Sequence, residues 1–416
     1  MQWLTLLLPC LASADSWIQS KSVKKYQNAQ PLARLKQRLK VSARGTQNSL
    51  EALSMAFLAL HPPTRRLQQR ASLRPTRSSP ILLTEPGNGE NTGSDESKIP
   101  STGDVLVNAI SKDGSISAKA IITTDLVSEA SRFQGLSDLA AAAVGRTVTC
   151  AIMLSDGQEP EETLQFKFNG DGPLGSCLGI SNGRLEARGL VGNPKARLPP
   201  NAQGKIDVGG GIGKGSFSTV RVKNLPGQYV PTPYESITQI VSGEIPEDIN
   251  YYLYTSEQRQ GALAAGVYVE GLDGRPDLNG DVTGGAAVTA AGGWYVTILP
   301  FADDESITKL EANIAALAKR SVTSMIRDGL RPEDIIKELL AGLEPQILQH
   351  RLVPSLSSSC PCSEDRIYRT LALLPRSQVE EILEEQGGME VVCDFCKKKN
   401  QMDAETIRKR LDAFAD

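Results

Sequence analysis

The order of hydrophobic and polar positions changes near residue 100 and again near residue 300. Between these points, short apolar runs alternate with turns rich in Gly, Asn and Pro. Helical spacing of apolar residues is found over 125–144. Strands are predicted at 105–110, 116–122, 148–154, 163–168, 174–180, 185–190, 218–222, 266–270 and 294–299, and further helices at 234–240 and 247–257. The pattern predicts an α+β core domain over residues 103–300.

Residues 301–355 have a different pattern, with apolar positions three to four residues apart. Arg331-Pro332-Glu333 starts a second helix there, because Pro is favoured in a first helical turn. The two amphipathic helices precede the C-terminal cysteines, so residues 301–355 are predicted to form a helical linker. Amphipathicity alone does not separate a detachable linker from helices packed permanently on a core.

The first hundred residues are predicted to be a targeting presequence, disordered and separate from the fold. An apolar run over 4–11 ends in small residues, as in a secretory signal, but is too short to span a membrane. A basic, acid-poor stretch follows, with thirteen Lys or Arg and one acid over 16–80. A signal-like segment followed by a transit-like one resembles the bipartite presequence of proteins imported into complex plastids. A simple mitochondrial or chloroplast transit peptide is the near alternative, and a disordered basic tail is the alternative without targeting.

The distribution of charge along the chain indicates which classes of macromolecule the protein is suited to bind. The net charge of the chain is −3, but residues 81–416 hold 32 bases and 46 acids. An acidic body argues against a nucleic-acid partner. The mature protein is predicted to be soluble and not bound to membranes.

Four of the seven cysteines fall close together, as Cys360-Pro361-Cys362 and Cys393-Asp394-Phe395-Cys396. Thirty residues separate the pairs and read as two short helices and a strand. Two close thiol pairs joined by a foldable insert suit one tetrahedral Zn²⁺ per chain. The alternative is four reduced cysteines in a small core. Residues 356–416 are therefore predicted to form a Cys₄ zinc domain.

The first pair also favours redox chemistry. In an extended CxC the Cα atoms lie ~7 Å apart, at the upper limit for a disulfide. A strained disulfide is more easily reduced, which suits a switch better than a permanent cross-link. Zinc would keep the thiols as thiolates, the form that oxidants attack.

Enzyme activity is not predicted. Gly211–Gly215 looks like part of a nucleotide-binding loop, but Val208 and Gly215 break the Walker A pattern. A kinase would need an H-R-D loop, and neither His61 nor His350 lies in one. With only these two histidines, Ser-His or Cys-His catalysis is also disfavoured.

The sequence resembles the 33 kDa chaperonin family of redox-regulated heat-shock holdases, as an organelle-targeted algal or plant-type member. The resemblance covers about residues 103–412 and rests first on the CxC-x30-CxxC arrangement. Further matching segments are 168–174, 213–215, 241–245, 247–249, 251–252, 256–258 and 291–293. Members commonly have aromatic residues shortly after the CxxC, where this chain has Lys397-Lys398-Lys399.

The resemblance implies an ATP-independent chaperone that binds unfolding client proteins under oxidative stress, as a homodimer when oxidised. It implies that Cys360, Cys362, Cys393 and Cys396 are the zinc ligands. On oxidation they would pair as Cys360–Cys362 and Cys393–Cys396 and release the metal. A constitutive protein-binding module with a purely structural zinc is the alternative function.

Overall fold

Two five-stranded antiparallel sheets form most of the core in the computed structural model, which describes residues 103–223, 233–282 and 284–413. The first sheet has the order β10-β1-β2-β9-β8 and the second β5-β4-β3-β6-β7. The strands of the first sheet are β1 (Val105–Ile110), β2 (Ile116–Ile122), β8 (Gly261–Leu272), β9 (Ala286–Ile298) and β10 (Gln346–Leu352). Those of the second are β3 (Thr163–Gly170), β4 (Ser176–Asn182), β5 (Ala187–Val191), β6 (Gly215–Val222) and β7 (Pro233–Gln239).

Helices connect and cover the sheets, and the C-terminal residues add a two-stranded sheet of β11 (Gly388–Val392) and β12 (Lys399–Asp403). The core helices are α1 (Thr124–Gln134), α2 (Asp138–Ser155), α3 (Val208–Ile212) and α4 (Pro246–Thr255). The next three are α5 (Asp304–Leu317), α6 (Val322–Arg327) and α7 (Pro332–Leu339). The C-terminal helices are α8 (Leu356–Ser359), α9 (Glu364–Leu371), α10 (Arg376–Gln386) and α11 (Ala404–Asp412). The predicted α+β class is confirmed.

Helix α2 contacts strands of both sheets and is buried almost completely. The Ser137 side chain caps it by accepting a hydrogen bond from the Ala140 N–H at 3.1 Å. Close packing depends on glycines: a Cβ on Gly145 would lie 2.6 Å from Val267, and one on Gly189 would lie 2.7 Å from Val148. By length and composition α2 could cross a membrane, but 89% of it is buried inside the protein, as in a soluble core helix.

Two local predictions are wrong. Residues 148–154, predicted as a strand, form the second half of α2. A helix buried on all sides has no polar face, so its apolar run does not show helical periodicity. Residues 234–240, predicted as a helix, belong mostly to β7. Tyr234 and Ile237 are exposed on this edge strand, and their spacing of three imitates a helix.

The outer face of the first sheet is covered by α5, α6 and α7. Helix α7 lies on β1 and β2 and buries Ile335, Ile336 and Leu339 completely. The side chain of Asn313 on α5 donates hydrogen bonds to the carbonyl oxygens of Leu339 and Ala341, at 3.0 and 2.9 Å. Helices α5 and α7 are therefore joined to each other, and with α6 they cover an apolar sheet.

The prediction of a wholly helical segment over 301–355 is wrong for β10. This strand pairs antiparallel with β1, so that Val107 lies opposite His350. Arg351 on β10 donates to Asp156 Oδ1 at 2.6 Å, and Lys119 donates to Asp156 Oδ2 at 2.7 Å. The Asp156 side chain is 3% exposed, so its charge requires both partners. Backbone pairing and this ion cluster fix β10 as an edge of the first sheet. The predicted domain limits stay predictions.

Asp104 joins the start of β1 to α1 and to the segment after β10. Its carboxylate accepts from the N–H groups of Asp125 and Leu126, at 3.0 and 2.8 Å. Its carbonyl oxygen accepts from the Val353 N–H at 3.0 Å. Because the group is buried, its pKa is raised to about 7, although the two backbone hydrogen bonds lower it.

We expect Asp104→Asn to remove a pH dependence of stability. The folded-state pKa of Asp104 lies above its unfolded value of 3.8. The stability that the protonated Asp104 carboxyl group adds to the folded protein is therefore fully present below the unfolded pKa. It is lost as the pH rises through about 7. Urea unfolding between pH 5 and pH 8 should show the wild type losing stability relative to the Asn variant. Parallel curves over that range would contradict the assignment.

Candidate metal centre

The CxC pair lies between two helices. Helix α8 ends at Ser359 and Cys360 is its C-cap, with its N–H donating to the Leu356 carbonyl oxygen at 3.1 Å. Ser363, immediately after Cys362, is the N-cap of α9 and its side chain accepts from the Arg366 N–H. The partial positive charge of a helix N-terminus favours thiolates over thiols nearby.

The CxxC pair lies in the tight turn between β11 and β12. The Cys393 N–H donates to the Lys398 carbonyl oxygen at 3.0 Å, and the Lys397 N–H donates to the Cys393 carbonyl oxygen at 2.9 Å. Lys397 has a φ of 57°, in the left-handed region, which lets the chain reverse after Cys396. The turn therefore directs both sulfur atoms to one side.

The four sulfur atoms converge. Cys360 Sγ lies 3.7 Å from Cys393 Sγ, and Cys362 Sγ lies 3.4 Å from Cys396 Sγ. All four lie within 4.8 Å of one another. Zinc–sulfur bonds of about 2.3 Å in a tetrahedron place the sulfurs about 3.8 Å apart, so the set fits one zinc ion. All four cysteines are free thiols, and each close contact joins one residue of the CxC to one of the CxxC.

Hydrogen bonds among the thiols shift their pKa values in opposite directions. Those from Cys360 and then Cys396 lower the pKa of Cys393, and the backbone N–H groups of Cys396 and Phe395 add to this. The pKa of Cys360 is raised, chiefly because its thiol donates to Cys393. Four thiolates cannot coexist at this distance without a cation. The donor set therefore favours a soft divalent ion such as Zn²⁺.

The residues around the cysteines form a small core of their own. Helices α9, α10 and α11 pack with β11 and β12 around eight buried apolar side chains. These are Tyr368, Leu371, Val379, Leu383, Met389, Met402, Ile407 and Leu411. Such a small core depends on a metal or another cross-link for independent stability.

Leu356 anchors the segment that leads into the cysteines. Its side chain is fully buried at a small cavity lined by residues of α1, α2 and β5. One turn of helix separates it from Cys360. Beside it, the side chain of Glu129 on α1 accepts hydrogen bonds from the Ser357 N–H and hydroxyl, at 3.0 and 2.9 Å.

The CxxC turn also contacts the core. Gln134 Nε2, at the end of α1, donates to the carbonyl oxygens of Phe395 and Gly189, at 3.0 and 2.9 Å. The guanidinium of Arg188 lies 5.1 Å from the centre of the Phe395 ring. Cys396 is buried against the main core, while the other three cysteines are half-buried. The cysteine cluster therefore lies where the C-terminal residues meet the larger domain.

The structure brings together all four predicted site residues, and their roles as ligands and disulfide partners stay predictions. Among the residues that the structure describes, no other group of three or more Cys, His, Asp or Glu side chains has this geometry. Sequence reasoning missed Leu356 and Gln134. Nothing in their local sequence marks them, because both act through contacts with distant segments.

Comparison with known proteins agrees with this arrangement. The family profile described as "Hsp33 protein" matches residues 104–403. The chain belongs to the Hsp33 family. A 33 kDa chaperonin from Ruminiclostridium cellulolyticum is 36% identical over 313 residues, which cover 74% of this chain and 98% of the relative. A 33 kDa chaperonin from the cyanobacterium Synechocystis is 38% identical over 303 residues, covering 72% and 93%.

A solved Hsp33 structure shows the same fold. The 33 kDa chaperonin of Thermotoga maritima superposes with a TM-score of 0.63 at 27% identity, covering 76% of this chain and 99% of its own. The predicted resemblance to the 33 kDa chaperonin family is confirmed, and organelle targeting stays a prediction. The family profile begins at residue 104, and the predicted presequence lies outside the residues that the structure describes.

Proposed function

We propose that this Hsp33 protein is an ATP-independent holdase that oxidants switch on. The observation that carries the proposal is the position of the four thiols. They form a zinc-type cluster a few residues beyond β10, which follows the helices that cover an apolar sheet. The names of the bacterial relatives support the chaperone role, and the proposal needs no catalytic residue.

In the reduced state, Cys360, Cys362, Cys393 and Cys396 would bind one Zn²⁺ per chain. The metal supplies a divalent charge that stabilises four thiolates and the fold of a module with a small core. The chain supplies the arrangement, through the α9 N-terminus and the N–H groups of Phe395 and Cys396.

Oxidation would convert the cluster into two disulfides. A thiolate attacks one oxygen of hydrogen peroxide, the O–O bond breaks, and a sulfenic acid and hydroxide form. A second thiolate then displaces the sulfenic oxygen as hydroxide and completes the S–S bond, and two protons convert both hydroxides to water. Each disulfide consumes one peroxide, so the pairs Cys360–Cys362 and Cys393–Cys396 need two. Disulfides do not replace four thiolates as ligands, and the metal leaves.

Loss of the metal would release the segment that covers the sheet. Without zinc the C-terminal module loses its largest stabilising contribution, and Leu356, one helical turn before Cys360, connects the module to the core. Helices α5, α6 and α7 share apolar contacts with the first sheet, so their detachment exposes surface on both. Such surface binds the apolar segments of unfolding proteins. We propose that the active form is a homodimer and that the mature protein acts in a plastid, with the mitochondrion as the alternative.

The decisive test compares reduced, zinc-loaded protein with protein treated with peroxide at mild heat. Light scattering of heat-aggregating malate dehydrogenase should be suppressed by the treated protein and little by the reduced one. Zinc release is followed in parallel with a chromogenic chelator. Equal suppression by both forms, with zinc retained after peroxide, would instead support a constitutive binding module with a structural zinc.

A further inference from the structure

The connection between β8 and β9 reaches the CxxC turn. The Asp273 N–H donates to the Gly285 carbonyl oxygen at 2.6 Å and closes the base of the connection. Further out, the Asp277 carboxylate accepts from the N–H groups of Asn279 and Asp281, at 2.8 and 3.0 Å. A side chain that bonds the backbone two and four residues ahead makes a defined turn. The turn fixes the direction of the Asn279 side chain.

Asn279 makes two hydrogen bonds to the backbone of the CxxC turn. Its Nδ2 donates to the Lys397 carbonyl oxygen at 2.8 Å, and its Oδ1 accepts from the Lys399 N–H at 3.3 Å. An amide side chain offers one donor group and one acceptor, so both ends are matched in chemical type. The contact joins segments about 120 residues apart in the sequence.

The positions of these two backbone groups, the Lys397 carbonyl and the Lys399 N–H, depend on the conformation of the cysteine turn. Lys397 directly follows Cys396, its φ lies in the left-handed region, and its N–H bonds to the Cys393 carbonyl oxygen. The Lys397 carbonyl and the Lys399 N–H are therefore correctly spaced only while the turn keeps the shape that places both sulfurs. Asn279 contacts the backbone shape rather than the lysine side chains.

The charged groups nearby contribute less. Lys399 Nζ lies 3.7 Å from Asp281, and Lys397 Nζ lies 3.9 Å from Asp394, with all four side chains at least 36% exposed. Exposed ion pairs at such distances add little stability. The Asn279 amide is half-buried and bonds to fixed backbone groups. Its hydrogen bonds, rather than the exposed ion pairs, therefore make the contact specific.

We propose that Asn279 is a positioning residue that clamps the Cys393–Cys396 turn in its reduced, metal-binding shape and thereby sets the oxidation threshold. The proposal rests on the redox switch proposed above. The sulfurs of Cys393 and Cys396 lie within 4.8 Å of one another in the reduced cluster, and a disulfide would draw them to about 2.05 Å and shift the residues of the turn. Because Asn279 binds the reduced shape, it opposes that change, and oxidation in turn releases Asn279.

The test uses full-length, zinc-loaded, reduced protein with two substitutions at one position. Asn279→Ala removes both hydrogen bonds to the cysteine turn, together with the 3.5 Å contact from Nδ2 to Asp277 Oδ2. Asn279→Asp keeps the size and turn preference of the side chain but replaces the donor with an oxygen that faces the Lys397 carbonyl. We expect both variants to release zinc about tenfold faster than the wild type at a fixed, low peroxide concentration, followed with the chelator pyridylazoresorcinol. Wild-type rates in Asn279→Asp would overturn the clamp.

Asn201→Ala is the matched control. Asn201 is also a half-buried loop asparagine, and its side chain accepts from the N–H groups of Gln203 and Lys205, both at 3.0 Å. We expect it to release zinc at the wild-type rate. If it accelerates release as much as Asn279→Ala does, the effect is general loop loosening and the clamp is overturned.

Hydrogen exchange separates failure of the clamp from failure of the switch. In zinc-loaded protein without oxidant, the Lys399 amide should exchange about tenfold faster in both Asn279 variants, with core amides of α2 unchanged. If wild-type protein keeps its zinc in peroxide, the redox switch fails, while this measurement still tests the contact. If the wild type releases zinc and the Lys399 amide exchanges equally in all forms, the clamp alone is overturned.

Discussion

Replacing Cys393 with serine is expected to abolish stable zinc binding and to unfold the C-terminal module. Cys393 supplies one of the four converging sulfur atoms, with its Sγ 3.7 Å from Cys360 Sγ and within 4.8 Å of the others. A serine hydroxyl keeps its proton at neutral pH and is a poor ligand for zinc. Structural zinc contributes about 10–16 kcal/mol in small modules, and most of that would be lost.

Zinc content and hydrogen exchange over residues 360–412 measure this outcome. If the folded module is what keeps the covering helices in place, Cys393→Ser should also suppress client aggregation in reductant, without peroxide. Cys150→Ala is the control: Cys150 is fully buried in the main core, where burial raises the pKa of its thiol. A full equivalent of zinc in Cys393→Ser would contradict the assignment of this residue as a ligand.

Leu339→Ala is expected to weaken the attachment of the covering helices and to activate the reduced protein. Leu339 is fully buried between α7 and the first sheet. Truncating such a leucine costs about 2–5 kcal/mol. The loss falls on the segment whose detachment would expose the sheet, so the variant should suppress aggregation in reductant while still holding zinc.

Leu164→Ala is the matched control for this variant. Leu164 is also fully buried, but it lies on β3 in the second sheet, away from the covering helices. Urea unfolding should show a similar loss of stability for both variants, whereas light scattering in reductant should show activity only for Leu339→Ala. A destabilised but inactive Leu339→Ala would show that α7 does not control client binding.

The parts of the fold that the sequence predicted well have strong local signals. Strands β1 and β2 have apolar runs interrupted by Gly114, and α5 and α7 have clear apolar faces. The cysteine cluster was predicted because thiol pairs with this spacing have few structural uses. In each case the signal lies in the composition and spacing of local motifs, so the sequence was enough.

The parts that could not be predicted depend on contacts between distant segments. Residues 148–154 are helical because two sheets bury α2, and no local pattern carries that information. β10 is a strand because β1 and Asp156 bind it. Asn279 contacts the cysteine turn only once β8, β9 and the C-terminal module have packed. The periodicity of apolar residues predicts individual helices and strands. The three features above depend instead on which helices and strands pack against one another.

The pairing of β1 with β10 has a consequence for synthesis of the protein. Val107 leaves the ribosome more than 200 residues before His350, its partner across the sheet. Protein synthesis adds about 5–20 residues per second, so the edge of β1 that pairs with β10 stays unpaired for roughly 10 to 50 s. An unpaired strand edge is a template for wrong pairing with another chain. The nascent chain thus has, for that interval, the same need for a protective partner that any unfolding protein has.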